Sequence, residues 1–245
     1  MISIMRQNRI YLPNAIVSNF YQIDTKTTHY LINVLRYRVG DNFTGFDGCG
    51  NTFNAEIVAL ENKRATVTLT PLSATDCEST LSTHLVQALP KSDKMDYIIQ
   101  KSTELGVNQI TPIRTEFTEV KLDEARYLKK HHHWQQILIS ACEQCGRNQL
   151  PTLNALVNFR EFISQSDKQT LIMHPENSKP LSQIPLQEKK ITVMIGPEGG
   201  FSDAEIEFAV QHGIQSVSFG PRLLRTETAG PAVIAALQTL WGDLG

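Results

Sequence analysis

One stretch constrains the fold more than any other. Residues 191–229, ITVMIGPEGG FSDAEIEFAV QHGIQSVSFG PRLLRTETA, place two glycine-marked loops on either side of one helix. Ile191–Ile195 is a short β-branched and apolar run, the pattern of a buried strand. Gly196-Pro197-Glu198-Gly199-Gly200 then breaks the chain. Ser202, with Glu205 three residues on, forms a capping box that starts a helix. Ile206, Ala209 and Val210 supply the apolar stripe of that helix, and Gly213 ends it. Ser216–Phe219 reads as a second strand, running into Gly220-Pro221-Arg222-Leu223-Leu224-Arg225-Thr226-Glu227-Thr228-Ala229. An apolar helix from about Gly230 to Leu240 follows. Pro231 suits a first turn but not an interior, so this helix is expected to start not much before Thr228.

Strand, loop and helix repeated in this way predict a parallel α/β arrangement, in which ligands bind at the carboxyl ends of the strands. Both glycine loops open there. Three glycines in one turn admit a ligand close to the backbone, or they simply make a tight connection. A polyphosphate cradle is disfavoured because Glu198 sits in the middle of the turn and no Walker Lys-Ser/Thr follows the glycines. A carboxylate there suits a cationic or hydroxyl-bearing ligand.

The rest of the chain divides in two. Arg6–Pro13 reads as a strand, and Thr28–Tyr37 carries Tyr30, Leu31, Val34 and Leu35 at helical spacing. Asn42–Phe46, Thr52–Leu60 and Arg64–Leu72 read as strands, with turns at Asp47–Gly50 and Glu61–Lys63. These elements predict a small closed β-domain with one helix. Ser73–Thr83 is polar, lacks an apolar period and marks the boundary, giving domains of residues 1–74 and 75–245. Beyond it, strands at His84–Leu89, Gln109–Ile113 and Thr170–His174 alternate with helices at Asp93–Leu105 and Leu122–Cys145, and Ser178–Lys190 reads as a polar connection.

Longer motifs in this order, GPEGGFSDAEI, FGPRLLRTETA, Met95–Val107 (MDYIIQKSTELGV), Ala141–Pro151 (ACEQCGRNQLP) and His29–Arg36 (HYLINVLR), make the chain similar to the RsmE-type 16S rRNA (uracil-N3)-methyltransferase family of the SPOUT class. The similarity runs from Arg9-Ile10-Tyr11 to the end. It implies a PUA-like β-barrel that binds structured RNA, followed by an α/β domain tied in a C-terminal trefoil knot that holds S-adenosylmethionine. Residue by residue, it implicates Met173, Ile195, Gly196, Glu198, Gly200, Phe219, Gly220, Leu224, Arg225, Thr226 and Ala229 in cofactor binding. Ile195 and Leu224 would flank the adenine, and Glu198 or Thr226 would meet the ribose hydroxyls. The resemblance also implies a homodimer and a substrate uridine in the assembled small subunit, while four unevenly spread cysteines and no export pattern give the expectation of a reducing, cytoplasmic location.

Charge adds little to this picture. The formal net charge is -2, so RNA is expected to be met by a local basic surface and not by a global field. Residues 1–75 hold seven Lys/Arg against five Asp/Glu, and the remaining 16 basic and 20 acidic residues lie beyond. Arg6, Arg9, Arg36, Arg38, Lys91, Lys94 and Lys101 are either a solvated face or RNA-phosphate contacts. Methylation of uridine N3 requires a base, or a cation that stabilises the uracil anion. Glu143, Glu198 and Glu227 are the candidate carboxylates and Arg9, Arg147 and Arg225 the candidate cations, with Glu143, Arg147 and Arg225 placed in catalysis. Each could instead be a structural ion-pair member.

Cys142 and Cys145 form a C-x-x-C near three histidines at 131–133, but no second cysteine pair accompanies them, so a buried helical role is expected and no metal. No apolar run reaches membrane-spanning length, and MISIMRQNRI lacks a signal-peptide pattern. The rival to the enzyme is an RNA-binding assembly protein that keeps the cofactor fold without turnover.

Overall fold

The computed structural model describes residues 8–73, 77–120, 122–167, 169–175 and 178–245. Arg6 lies outside them. The chain forms two compact units. One comprises residues 1–78 together with Cys142–Leu150, and the other comprises Ser79–Ala141 and Pro151–Gly245.

The first unit is a five-stranded sheet: β1 (Arg9–Tyr11), β2 (Ser18–Gln22), β3 (Asn42–Phe46), β4 (Thr52–Glu61) and β5 (Arg64–Pro71), in the order β1-β3-β4-β5-β2. β1 joins β3 in parallel and the other pairs are antiparallel. Alternation along β4 and β5 turns Phe53, Ala55, Ile57, Val67 and Leu69 inward, where they pack with Ile10, Leu31 and Phe43. Asn62 and Lys63 both have positive φ (50° and 62°), so β4 and β5 join through a two-residue turn whose twist matches the strands. The helix between β2 and β3 differs from expectation. It begins at Thr25, as α1 (Thr25–His29), because Asp24 Oδ1 accepts from the N–H groups of Lys26 and Thr27 at 2.8 and 2.9 Å. It widens into a π-turn over Tyr30–Val34. Only Leu31 of the expected stripe is fully buried, while Tyr30 and Val34 are exposed. The wider turn shifts side chains off the 3.6-residue stripe.

The second unit is built on a parallel sheet. Its elements are β6 (Ser82–Ala88), α2 (Lys94–Glu104), β7 (Gln109–Arg114), α3 (Glu124–Cys145), β8 (Thr152–Leu153), β9 (Val157–Asn158), α4 (Phe159–Ser164), β10 (Thr170–Met173), β11 (Lys179–Pro180), β12 (Lys190–Ile195), α5 (Asp203–Gln211), β13 (Gln215–Ser218) and α6 (Thr226–Trp241). The order is β11-β13-β10-β12-β6-β7-β8, with β9 also on β7, and every pairing is parallel. The central strands are near-continuous apolar runs: Leu85, Val86, Val193 and Met194 are all completely buried. The two-residue strands β8, β9 and β11, with α4, occupy segments whose sequence carries no clear period. The last four residues of α3 group with the first unit.

The final helix corrects the expectation based on Pro231. α6 starts at Thr226, and Pro231 is its buried sixth residue. Proline removes one intrahelical bond. That loss is tolerated because tertiary bonds to the Thr226 side chain set the helix start.

Candidate functional site

β12 delivers the first glycine loop. After Ile195 the turn Gly196–Gly200 closes with the Gly200 N–H donating to Pro197 O at 2.9 Å, and Gly200 takes φ +73°. Gly196 favours glycine for a steric reason. A Cβ there would lie 3.0 Å from the Gly200 carbonyl carbon and 3.1 Å from its Cα. The turn feeds α5 through the expected capping box. The Ser202 N–H donates to Glu205 Oε2 at 3.0 Å, and the Glu205 N–H donates to Ser202 Oγ at 3.3 Å. The other Glu205 oxygen accepts from the Glu116 N–H at 2.9 Å, so this 6% exposed carboxylate also ties down the loop after β7.

β13 delivers the second loop. Gly220 takes φ +72°, and the chain continues through exposed Leu223 to Arg225, the N-cap of α6. The Arg225 carbonyl accepts from the Thr228 and Ala229 N–H groups, both at 2.9 Å. Thr226 reaches back to the first loop. Its hydroxyl donates to Gly196 O at 2.7 Å and accepts from Gln87 Nε2 at 2.9 Å. Both loops and the end of β6 are therefore linked through one buried hydroxyl.

Between the loops lies a cavity of about 620 Å³ at the carboxyl ends of β10, β12 and β13. Its lining includes Met173, Ile195, Gly196, Glu198, Gly200, Phe219, Gly220, Leu224, Arg225, Thr226 and Ala229. The structure thus brings together every residue that the sequence put forward for the cofactor. Val217 and Val233 extend the apolar wall, and His174, Arg222 and Lys94 add polar groups that the cofactor reading had not included. His174 and Val217 had a signal: each belongs to a strand or strand end that the carboxyl-end rule points to.

Lys94, put forward for RNA, faces the first loop. Its ammonium pairs with Glu198 at 2.8 Å and Glu227 at 3.1 Å, and the Lys91 N–H donates to Glu198 at 3.2 Å. The hydrogen bond to Glu198, with that to Glu227, raises the Lys94 pKa. Partial burial pulls the Glu198 carboxyl upward, but the Lys94 ammonium and backbone N–H groups outweigh it and hold Glu198 below the usual carboxylate range. Glu227 is also held low, first by its own backbone N–H and then by Lys94. One ammonium is thus shared by two ionised carboxylates.

Glu143 and Arg147 belong to the first unit and do not line the cavity. Arg147, 4% exposed, forms a two-pronged ion pair with Glu78: Nε to Oε1 at 3.0 Å and Nη2 to Oε2 at 2.6 Å. Glu143 Oε1 accepts from the Tyr11 N–H at 3.0 Å, and burial raises its pKa despite that bond and nearby Arg9. Arg9 donates to Asn148 Oδ1 at 2.6 Å and to Arg147 O at 3.2 Å, and lies over the Phe46 ring. Arg36, at φ 61°, and Arg38 are exposed just beyond the π-turn. Lys91 pairs with Glu119 and Lys101 with Glu104, at 2.7 and 2.9 Å. All four cysteines are free, Cys142 is buried, and among the described residues no group of three or more His, Cys, Asp or Glu could hold a metal ion.

The comparisons with known proteins define the class first. Residues 77–238 match an RNA methyltransferase domain and residues 23–70 an RNA methyltransferase PUA domain. An α/β RNA methyltransferase carrying a PUA-type domain is what the two units amount to. A protein from Legionella pneumophila, described as a methyltransferase and solved with S-adenosylmethionine bound, is 40% identical, with a TM-score of 0.93 over 98% of this chain and 100% of that one. The ribosomal RNA small subunit methyltransferase E of Neisseria gonorrhoeae, also bound to S-adenosylmethionine, is 40% identical, with a TM-score of 0.91 and the same coverage. The enzyme of that name from Buchnera aphidicola is 35% identical, covering 96% of this chain and 97% of that sequence. The chain belongs to the ribosomal RNA small subunit methyltransferase E family.

Proposed function

We propose that the protein transfers a methyl group from S-adenosylmethionine to N3 of a uridine in 16S rRNA, acting on the assembled small subunit. The observation that carries this reading is the cavity that the GPEGG and RLLRTETA loops share, in a chain whose closely similar solved relatives hold S-adenosylmethionine. The residues fit that group. Ile195, Val217, Leu224 and Val233 offer an apolar wall for an adenine, and the Glu198 carboxylate is an acceptor suited to ribose hydroxyls. Glu198 takes the ribose in preference to Thr226, whose only proton is already given to Gly196 O.

When bound, S-adenosylmethionine supplies a methyl group on a positively charged sulfur. The residues around it orient it and deal with the uracil charge. Glu198, stabilised as the anion, is a weak proton acceptor and serves in binding. Arg225, exposed at the cavity mouth, stabilises the uracil anion as N3 gives its proton to solvent water. Glu143 and Arg147 serve structurally within the first unit, through the Tyr11 and Glu78 bonds.

The remaining assignments belong to the same proposal. Residues 1–74 form the PUA-like RNA-binding domain, with Arg9, Arg36 and Arg38 near RNA phosphates, and residues 75–245 the methyltransferase domain. A trefoil knot at the C-terminal end is supported by the strand order. β13 returns beside β10 on the side away from β12, and the chain then crosses back so that α6 packs on β6 and β12. The protein works as a cytoplasmic homodimer. Among the described residues no helix is long and apolar enough to cross a membrane.

Purified small subunits from cells lacking this gene, incubated with methyl-labelled S-adenosylmethionine, test the reading. Label is expected in the RNA of the small subunit when wild-type protein is added, and Glu198→Ala should weaken S-adenosylmethionine binding without unfolding the protein. Tight donor binding with no label in any subunit RNA would sink the proposal.

A further inference from the structure

Gln87 stands out among the buried polar groups. It sits in the central strand β6, is 0% exposed, and its side-chain Oε1 has no hydrogen-bond partner. Its amide nitrogen donates to Ala88 O at 3.1 Å and to the Thr226 hydroxyl at 2.9 Å. That hydroxyl has one proton, and with a donor on its lone pair the proton is directed to Gly196 O at 2.7 Å. The order of donation, Gln87 to Thr226 to Gly196, is thereby fixed. Chains of this kind polarise one another in a dry interior. Gly230 is part of the same arrangement. A Cβ at that position would lie 3.0 Å from Gln87 Oε1 and 3.4 Å from a Leu85 methyl, so the helix presents glycine where the amide stands.

A buried acceptor without a partner costs stability, and an apolar side chain of similar shape would relieve that cost. A residue kept for stability alone has no reason to be a glutamine here. We infer that Gln87 is a positioning residue for the methyl-donor site: it orients the Thr226 hydroxyl so that the glycine turn and the second loop are held at a fixed separation. Gln87 does not line the cavity, so its effect on the site runs through Thr226, which does. The inference rests on the reading of that cavity as the S-adenosylmethionine site.

Titration calorimetry with S-adenosylmethionine, paired with urea unfolding, tests it on Gln87→Met, Thr226→Val, Thr226→Ser and the double variant Gln87→Met/Thr226→Val. Loss of one neutral hydrogen bond corresponds to about a five- to tenfold change in an equilibrium constant. Gln87→Met should raise Kd by that factor while unfolding near the wild-type urea midpoint. Thr226→Val should do the same to Kd, and Thr226→Ser, which keeps the hydroxyl, should restore binding. Because the two groups act in series, the double variant should bind no more weakly than the weaker single variant. Multiplicative losses in the double variant, or a Gln87→Met Kd within twofold of wild type, would overturn the inference. Should Gln87→Met fail to fold, equal binding by Thr226→Val and Thr226→Ser would overturn it. Failure of the wild type to bind would instead remove the cavity reading itself.

Discussion

The sharpest structural consequence concerns Gly196. Its φ is not in the left-handed region, so alanine meets no conformational strain there, and the cost is steric alone. An added Cβ would stand 3.0 Å from the Gly200 carbonyl carbon, 3.1 Å from Gly200 Cα and 3.3 Å from Phe201 N. All three are backbone atoms, so no rotamer change relieves the contact. The turn must open by a few tenths of an ångström. Overpacking of this kind costs about 1–3 kcal/mol. Opening also separates Gly196 O from the Thr226 hydroxyl, so the loss falls on the ligand site as well as on the fold. Gly196→Ala should therefore lower unfolding free energy by about 1–3 kcal/mol and weaken S-adenosylmethionine binding by about tenfold or more. Gly213→Ala is the control. That glycine has φ +82°, and a Cβ added there would meet nothing within 4 Å, so alanine incurs only the left-handed penalty. Its cost is about 1–2 kcal/mol of stability, with ligand affinity unchanged. Urea unfolding and titration calorimetry on both variants distinguish the causes. Wild-type affinity in Gly196→Ala would show that the turn does not transmit the clash to the ligand site.

Three further outcomes follow from buried charge and burial. Glu78→Gln leaves the Arg147 guanidinium without its carboxylate in a site where Arg147 is 4% exposed, and should cost about 3–5 kcal/mol in chemical unfolding. A cost below about 1 kcal/mol would mean the pair is effectively solvated. His84 is held neutral, its pKa lowered to about 4 from 6.5 chiefly by burial and then by Lys190, and its Nε2 lies 2.7 Å from Thr111 Oγ1. The unfolded chain binds the proton more readily, so this stabilisation is complete above pH 6.5 and is lost as pH falls toward 4. Between neutral pH and pH 5, wild type should lose about 2 kcal/mol more than His84→Gln, and parallel pH profiles would contradict the assignment. Burial pushes the Cys142 thiol up to about 12, so a thiol reagent at pH 8 should label exposed Cys49 in the native protein and Cys142 only on unfolding.

The sequence was most informative where local chemistry decides structure. Ser202 and Glu205 announced α5, and both reciprocal bonds are present. The two glycine loops announced the cavity, because glycine and strand ends are read directly from residue type. Tertiary decisions were not legible. Pro231 argued for a late helix start, but bonds from Thr226 to Gly196 and Gln87 set it five residues before the proline. The strands β8, β9 and β11 are two residues long, too short to show a period. Sequence adjacency could not reveal that β13 lies beside β10 and not β12. Gln87 carried no signal at all, since a lone glutamine in a strand reads as a surface position. Lys94 read as a solvated face or an RNA-phosphate contact, and only the fold sets it between Glu198 and Glu227.

Methyl transfer to uridine N3 is decided by nucleoside mass spectrometry of small-subunit rRNA from cells with and without this gene. One 3-methyluridine in 16S rRNA is expected to vanish on deletion and to return with wild-type protein, but not with a variant unable to bind S-adenosylmethionine. Unchanged 3-methyluridine on deletion, or loss of a different modification, would contradict the assignment.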